Sequence, residues 1–152
     1  MALRIGTPIP SLDGAVEWAN GEPVAHAALA GRPTLVHFWS VSCHSCHETM
    51  PVVREWHQHF GEHGLQLIGV HQPRSEAETV PETVKQAIAE LELVHPIAID
   101  SACLVVERLQ NRFVPAFYLF DAEGKLRHYQ AGERAHRMVQ PAIERLLGEK
   151  SA

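Results

Sequence analysis

The chain has 152 residues, 45% apolar and 20% charged, the balance of one soluble globule and not of a disordered tail. Its 13 Lys and Arg against 18 Asp and Glu give a net charge of −5 without a basic cluster, which argues against binding nucleic acid or anionic lipid. A domain of this length buries roughly 68–70% of its unfolded surface, so its stability requires neither disulfides nor a structural metal.

The expectation is one domain over 1–152, with an N-terminal extension over 1–33 and a core over 34–148. The first part carries Pro8, Pro10, Gly14, Gly21 and Pro23 between short apolar pieces. It reads as a loop and β-hairpin, with Asn20-Gly21 as the tight turn. Thr34–Trp39 is a β-rich run and the first strand. A helix begins at Cys43, carries Met50, Val53, Trp56 and Phe60 at helical spacing, and stops at Gly61. Pro51 should bend it, lacking an N–H and clashing with the carbonyl of His47. Leu65–His71 is a second apolar strand. The polar loop Gln72–Pro81 leads to a helix with Val84, Ile88 and Leu91 on one face. Ile97–Ile99 is a brief strand and Cys103–Leu109 a short helix. Ala116–Phe120 and Leu126–Gln130 form a hairpin through Asp121–Gly124. The last helix carries the pairs Met138/Val139, Ala142/Ile143 and Leu146/Leu147. This order implies a mixed α/β sheet covered on both faces.

The three cysteines are too few, and odd in number, for a secreted disulfide framework. The longest apolar stretches are far too short to span a bilayer. The start, Met1 to Pro8, lacks a basic segment followed by an apolar run. As written, the chain is expected in the cytoplasm, without membrane insertion; a removed leader would make it extracytoplasmic.

Cys43-His44-Ser45-Cys46 follows a buried strand and opens a helix, the context that makes a C-x-x-C pair informative. The first-turn N–H groups have no internal partner, and the helix dipole places positive charge there. A thiolate on Cys43 would sit in that field, with its pKa lowered. Cys46, three residues on, is close enough to form a disulfide with it. The pair thus supplies an attacking thiol, Cys43, and a resolving thiol, Cys46. Protonated His44 would stabilise the thiolate and make the disulfide more oxidising.

The segment Phe38-Trp39-Ser40-Val41-Ser42-Cys43-His44-Ser45-Cys46 resembles the active-site segment of thioredoxin-fold proteins. Phe113-Val114-Pro115-Ala116 is similar to the segment that carries their cis-proline. Within that superfamily the chain resembles TlpA/ResA-type thiol–disulfide oxidoreductases. It is more similar still to the thioredoxin-like domains of DipZ and NHL-repeat proteins, through Thr49-Met50-Pro51, Gly69-Val70-His71-Gln72-Pro73, Asn111–Ala116 and Tyr118-Leu119. The resemblance spans about residues 7–147 and implies a thioredoxin-like fold with an N-terminal hairpin. It implies that Val114 and Pro115 dock the substrate, with Trp39, His44 and Ser45 shaping the site. It also implies protein dithiol or disulfide substrates, an unidentified electron donor, and no dissociable cofactor. Three positions depart from the family: Ser42 where thioredoxins carry tryptophan, His44-Ser45 between the cysteines, and Thr49 where many TlpA-type members have glutamate.

Other readings stay open. Cys43-His44-Ser45-Cys46-His47 also spells the C-x-x-C-H haem-attachment pattern. The cysteines with His44, His47, His57, His59 and His63 offer metal ligands, although no second C-x-x-C or H-x-x-x-H completes a tetrahedral set. A peroxide-scavenging thiol enzyme is a third possibility, lacking the Thr/Cys arrangement typical of peroxiredoxins. Cys103 reads as a small core residue, His71 as a cleft candidate, and Gln72–Pro81 as a connection on the same rim as Cys43.

Overall fold

The computed structural model describes residues 3–151, with side chains described through residue 148. In chain order the elements are β1 (Glu17–Ala19), β2 (Thr34–Trp39), α1 (His44–Gly61), β3 (Gln66–His71), α2 (Pro81–Glu90), β4 (Ile97–Ile99), α3 (Leu104–Arg108), β5 (Ala116–Phe120), β6 (Leu126–Ala131) and α4 (His136–Ser151). They build one six-stranded sheet in the order β1-β4-β3-β2-β5-β6. Strands β2, β3 and β4 run parallel; β1, β5 and β6 pair antiparallel with their neighbours. This is the mixed α/β, thioredoxin-like sheet.

All six residues of β2 are buried, as expected of a strand covered on both faces. Its side chains still alternate between two cores. Leu35 and Trp39 join Met50, Val53 and Trp56 of α1, Val84 of α2 and Ile143 of α4. Val36 and Phe38 join Val105 of α3 and Leu109, its C-cap, on the opposite face, together with Ile9, Leu12 and Leu29.

The described residues do not form the expected N-terminal hairpin. Among the described residues, Glu17–Ala19 pairs instead with Ile97–Ile99 at the far edge of the sheet, and Pro8 makes a single bridge to Lys125 at the other end. Asn20 does adopt positive φ, 63°, beside Gly21 at 141°. Its side chain, however, donates to the carbonyls of Leu93 and His95, at 2.8 and 2.9 Å. That anchorage makes the strand an addition to β4. Downstream, Pro23 has no N–H to offer a returning partner, and His26–Leu29 coils into a 3-10 turn. Smaller differences follow the same logic. Cys103 precedes α3 as its N-cap at φ 60° and is half-buried. Met138 is 57% exposed, so the apolar stripe of α4 starts at Val139. Pro51 lies inside α1, which continues to Gly61.

Within the first core lie polar groups that the hydrophobic pattern does not announce. His37 of β2 and His95, in the turn before β4, are 2% and 0% exposed. Their Nε2 atoms meet at 2.8 Å, one donating and one accepting. Gly69 of β3 makes the space: a Cβ there would lie 2.9 Å from His37 Nε2 and 3.1 Å from His95 Nε2. Gly69→Ala should therefore lower stability by about 1–3 kcal/mol through overpacking, read as a lower urea midpoint; an unchanged midpoint would mean the imidazoles are free to move apart.

Burial pushes His37 down to about 3 from its ordinary 6.5, and takes His95 well below it. His71 is pushed down to about 4, burial outweighing the opposing carboxylate of Glu78. Below pH 6.5 the unfolded chain thus binds protons at these rings that the folded chain refuses. Stability should fall as the solution is acidified from 6.5 toward about 3, by up to ~1.4 kcal/mol per pH unit for each group. Proton uptake on urea unfolding near pH 5 measures this directly, and an absence of uptake would contradict it.

Candidate active site

The parallel strands β2 and β3 end side by side, at Trp39 and His71. Their pairing continues past both ends, because Gln72 N donates to Trp39 O at 2.8 Å and Ser40 Oγ donates to Gln72 O. The chain then needs only Val41 and Ser42 to reach Cys43, the N-cap of α1. The Val41 peptide is held from both sides. His71 Nε2 accepts from Val41 N at 3.2 Å, and His47 Nε2 donates to Val41 O at 2.7 Å.

Cys43 and Cys46 form a disulfide with Cα atoms 5.2 Å apart. Cys43 is 4% exposed and Cys46 1%. Cys43 Sγ accepts from Cys46 N at 3.1 Å, filling with sulfur the capping role usually taken by a serine or aspartate oxygen. The sulfur therefore sits among the unpartnered N–H groups of a long helix, where negative charge is favoured.

The distant proline segment meets this helix end. Phe38 pairs with Ala116, so the start of β5 lies beside the end of β2. The Val114–Pro115 peptide is cis. Pro115 and Cys46 line the same narrow interior gap, with Trp39, Thr49 and Met50. Val114 is half-buried, and its backbone N–H and C=O have no hydrogen-bond partner among the described residues. The neighbouring Phe113 is 65% exposed. Asn111 fixes this loop: its Nδ2 donates to Phe113 O at 2.9 Å and to Gln72 Oε1 at 2.8 Å, and its Oδ1 accepts from Tyr118 at 3.0 Å.

Around this centre the remaining sequence candidates separate. His44 is exposed and faces Glu48 at 3.2 Å, one helical turn on. Ser45 O accepts from Thr49 Oγ1 at 2.8 Å. Trp39 is fully buried, edge-on to His71 with ring centroids 5.0 Å apart. His71 is fully buried and lies 3.5 Å from Glu78 Oε1, itself only 4% exposed. Sequence reasoning passed over Glu78, because a carboxylate in the polar loop Gln72–Pro81 looks like surface. The signal available was His71 at the end of an apolar strand, a buried imidazole in need of partners.

The structure leaves the haem-attachment pattern without free groups: its two sulfurs are bonded to each other and His47 Nε2 is engaged by Val41. His59 and His63 are exposed, their rings 5.0 Å apart and tilted by 48°. Among the described residues, no group of three or more His, Cys, Asp or Glu is arranged to hold a metal ion. No helix is long and apolar enough to cross a membrane, again among the described residues.

Comparison with known proteins agrees with this geometry. The model of the AhpC/TSA family matches residues 5–129. The thiol-disulfide oxidoreductase YkuV of Bacillus subtilis is 39% identical, the alignment covering 97% of this chain and 99% of that protein. Protein DipZ of Mycobacterium tuberculosis is 35% identical over 92% of this chain but only 21% of its own length. Among solved structures, that of a thioredoxin-like protein in the oxidized form superposes with a TM-score of 0.87 at 40% identity, covering 97% of this chain and 99% of that one. Its substrates are accordingly dithiols and disulfides, and the chain belongs to the AhpC/TSA family as a thioredoxin-fold thiol–disulfide oxidoreductase.

Proposed function

We propose that Cys43 is the attacking sulfur, Cys46 the resolving sulfur, and Val114 with Pro115 the edge on which a peptide substrate is laid. The observation that carries this assignment is the unequal placement of the two sulfurs. Cys43 caps α1 and accepts a backbone N–H, which favours its thiolate. Cys46 lies inside the first turn, facing the interior gap with Met50 and Pro115. The open backbone of Val114 can pair with an extended chain, which would bring a substrate disulfide against Cys43.

The reaction then needs only sulfur chemistry. The Cys43 thiolate attacks a substrate disulfide, one substrate sulfur leaves as thiolate, and a mixed disulfide remains on Cys43. Cys46, losing its proton, attacks Cys43 Sγ, re-forming the internal disulfide and releasing the second substrate thiol. Two electrons pass from protein to substrate, and an external dithiol donor restores them. No dissociable cofactor enters. In a reducing compartment the pair rests as dithiol and works as a reductase, with the donor supplied by that compartment.

Reduction of insulin by a small dithiol tests the assignment. Cys43→Ser should abolish catalysis, whereas Cys46→Ser should retain the attack and accumulate a mixed disulfide on Cys43, visible as added mass. Trapping on Cys46 in the Cys43→Ser protein would reverse the two roles.

His44 modulates this centre on our reading. If protonated, the ring beside Cys43 in sequence would favour the thiolate, and pairing with Glu48 would temper that effect. His44→Gln should raise the pKa of the Cys43 thiol, read from the pH dependence of alkylation, and an unmoved profile would remove His44 from the site.

A further inference from the structure

The C-terminal end of α1 carries side chains that the sulfur chemistry does not use. His59 and His63 stand one helical turn apart and are both exposed, with ring centroids 5.0 Å apart and planes tilted by 48°. The backbone beneath them is closed by a turn. His63 N and Leu65 N both donate to Phe60 O at 3.0 Å, and Gly64 takes the positive φ, 97°, that such a helix end requires. His63 Nδ1 donates to His59 O at 2.9 Å. A carbonyl oxygen only accepts, so in the neutral ring the proton is on Nδ1 and Nε2 keeps a free lone pair. The ring nitrogens of His59 have no hydrogen-bond partner among the described residues.

We propose that His59 and His63 form a two-ligand surface site for a divalent transition metal of the imidazole-binding class, Cu²⁺, Ni²⁺ or Zn²⁺, with water filling the remaining positions. The bond from His63 Nδ1 to a backbone carbonyl is the partner that orients a metal-bound histidine and leaves its other nitrogen for the ion. With metal–nitrogen bonds of about 2.0–2.1 Å, two imidazoles sharing an ion at a right or tetrahedral angle have centroids roughly 4.5–5.2 Å apart. The observed 5.0 Å falls in that range. The surroundings suit a cation: the C-terminal end of a helix carries partial negative charge, and His59 shares a surface depression with Glu55, Glu62 and Glu144. Neutral nitrogen ligands select these ions over Mg²⁺ and Ca²⁺, which prefer oxygen. Two protein ligands fall short of the closed tetrahedral set of a structural zinc site, so the ion exchanges with solvent. It clasps the last turn of α1 to the turn that follows. About 24 Å of helix separate His59 from Cys43, so the site is independent of the sulfur assignment.

The test titrates Ni²⁺ into the oxidised protein by calorimetry. Cys43 and Cys46 are then bonded to each other, and Cys103→Ser removes the free thiol, so no thiolate competes for the ion. One ion should bind per chain. His59→Gln and His63→Gln, both at exposed positions, should each weaken binding at least about 10-fold, the smallest cost of losing even an orienting partner of a metal ligand. Ni²⁺ should raise the urea midpoint of the parent protein, because it binds the folded state, and leave the midpoints of both histidine variants unmoved. Mg²⁺ in place of Ni²⁺ should give no binding heat. A parent protein that takes up no Ni²⁺, or histidine variants that bind it as tightly as the parent, would overturn the site. Mg²⁺ binding as tight as that of Ni²⁺ would also overturn it, assigning the ion to the carboxylates of the depression.

Discussion

The structure turns on the two-residue span between a buried strand and a helix N-terminus. β2 is paired on both sides and Trp39 is fully buried, and α1 packs on the sheet by its apolar face. Val41 and Ser42 must bridge them in one conformation. His71 and His47 hold the Val41 peptide by its N–H and its C=O, and Cys43 N donates to Ser40 O at 3.1 Å. The sulfur we propose as the attacker, that of Cys43, is thereby also the cap of the helix. A thiolate accepts a hydrogen bond more strongly than a disulfide sulfur does. A thiolate on Cys43 would therefore strengthen the cap, and the helix end would favour the state proposed to attack.

A buried carboxylate, Glu78, lies near the same span. His71 Nε2 receives the N–H of Val41 and faces Glu78 Oε1. One ring nitrogen cannot accept from an amide and donate to a carboxylate at once. Burial pushes His71 down to about 4, so the neutral ring, accepting from Val41, is the resting form at neutral pH. Its Nδ1 and Glu78 Oε1 have no hydrogen-bond partner, while Ser75 Oγ lies 3.4 Å from Glu78 Oε2. Removing Glu78 from water has a free-energy cost, and with His71 neutral the two groups meet at 3.5 Å without a hydrogen bond.

The sequence made the frame legible because the frame rests on periodicity. Strand β2, helix α1, the β5–β6 hairpin and the helical stripe of α4 all announce themselves by apolar spacing, and C-x-x-C at a strand-to-helix step announces the sulfurs. The meeting of Pro115 with that step follows from topology, since an antiparallel strand must start where its parallel-sheet neighbour ends. Buried polar groups carry no such period. His37 looks like one interruption in an apolar strand, His95 like a turn residue, and Gly69 like a weak point in β3. Only the sheet register, which sets Gly69 beside both His37 and Ile97, brings the three together. The N-terminal hairpin was misread for a related reason: Asn-Gly is a strong local turn signal, yet the partner of Glu17–Ala19 lies some eighty residues downstream.

That misread segment gives the N-terminal region a role beyond decoration. Without β1, β4 would be an edge strand of three residues with one side unpaired. Pairing with β1 makes it interior, and Asn20, just past β1, grips the carbonyls of Leu93 and His95. Residue 95 is thus held by its backbone from outside the sheet while its ring reaches inward to His37. The distance between the two Nε2 atoms depends on an amide more than seventy residues away, so the first strand of the chain helps position a histidine that no local pattern links to it.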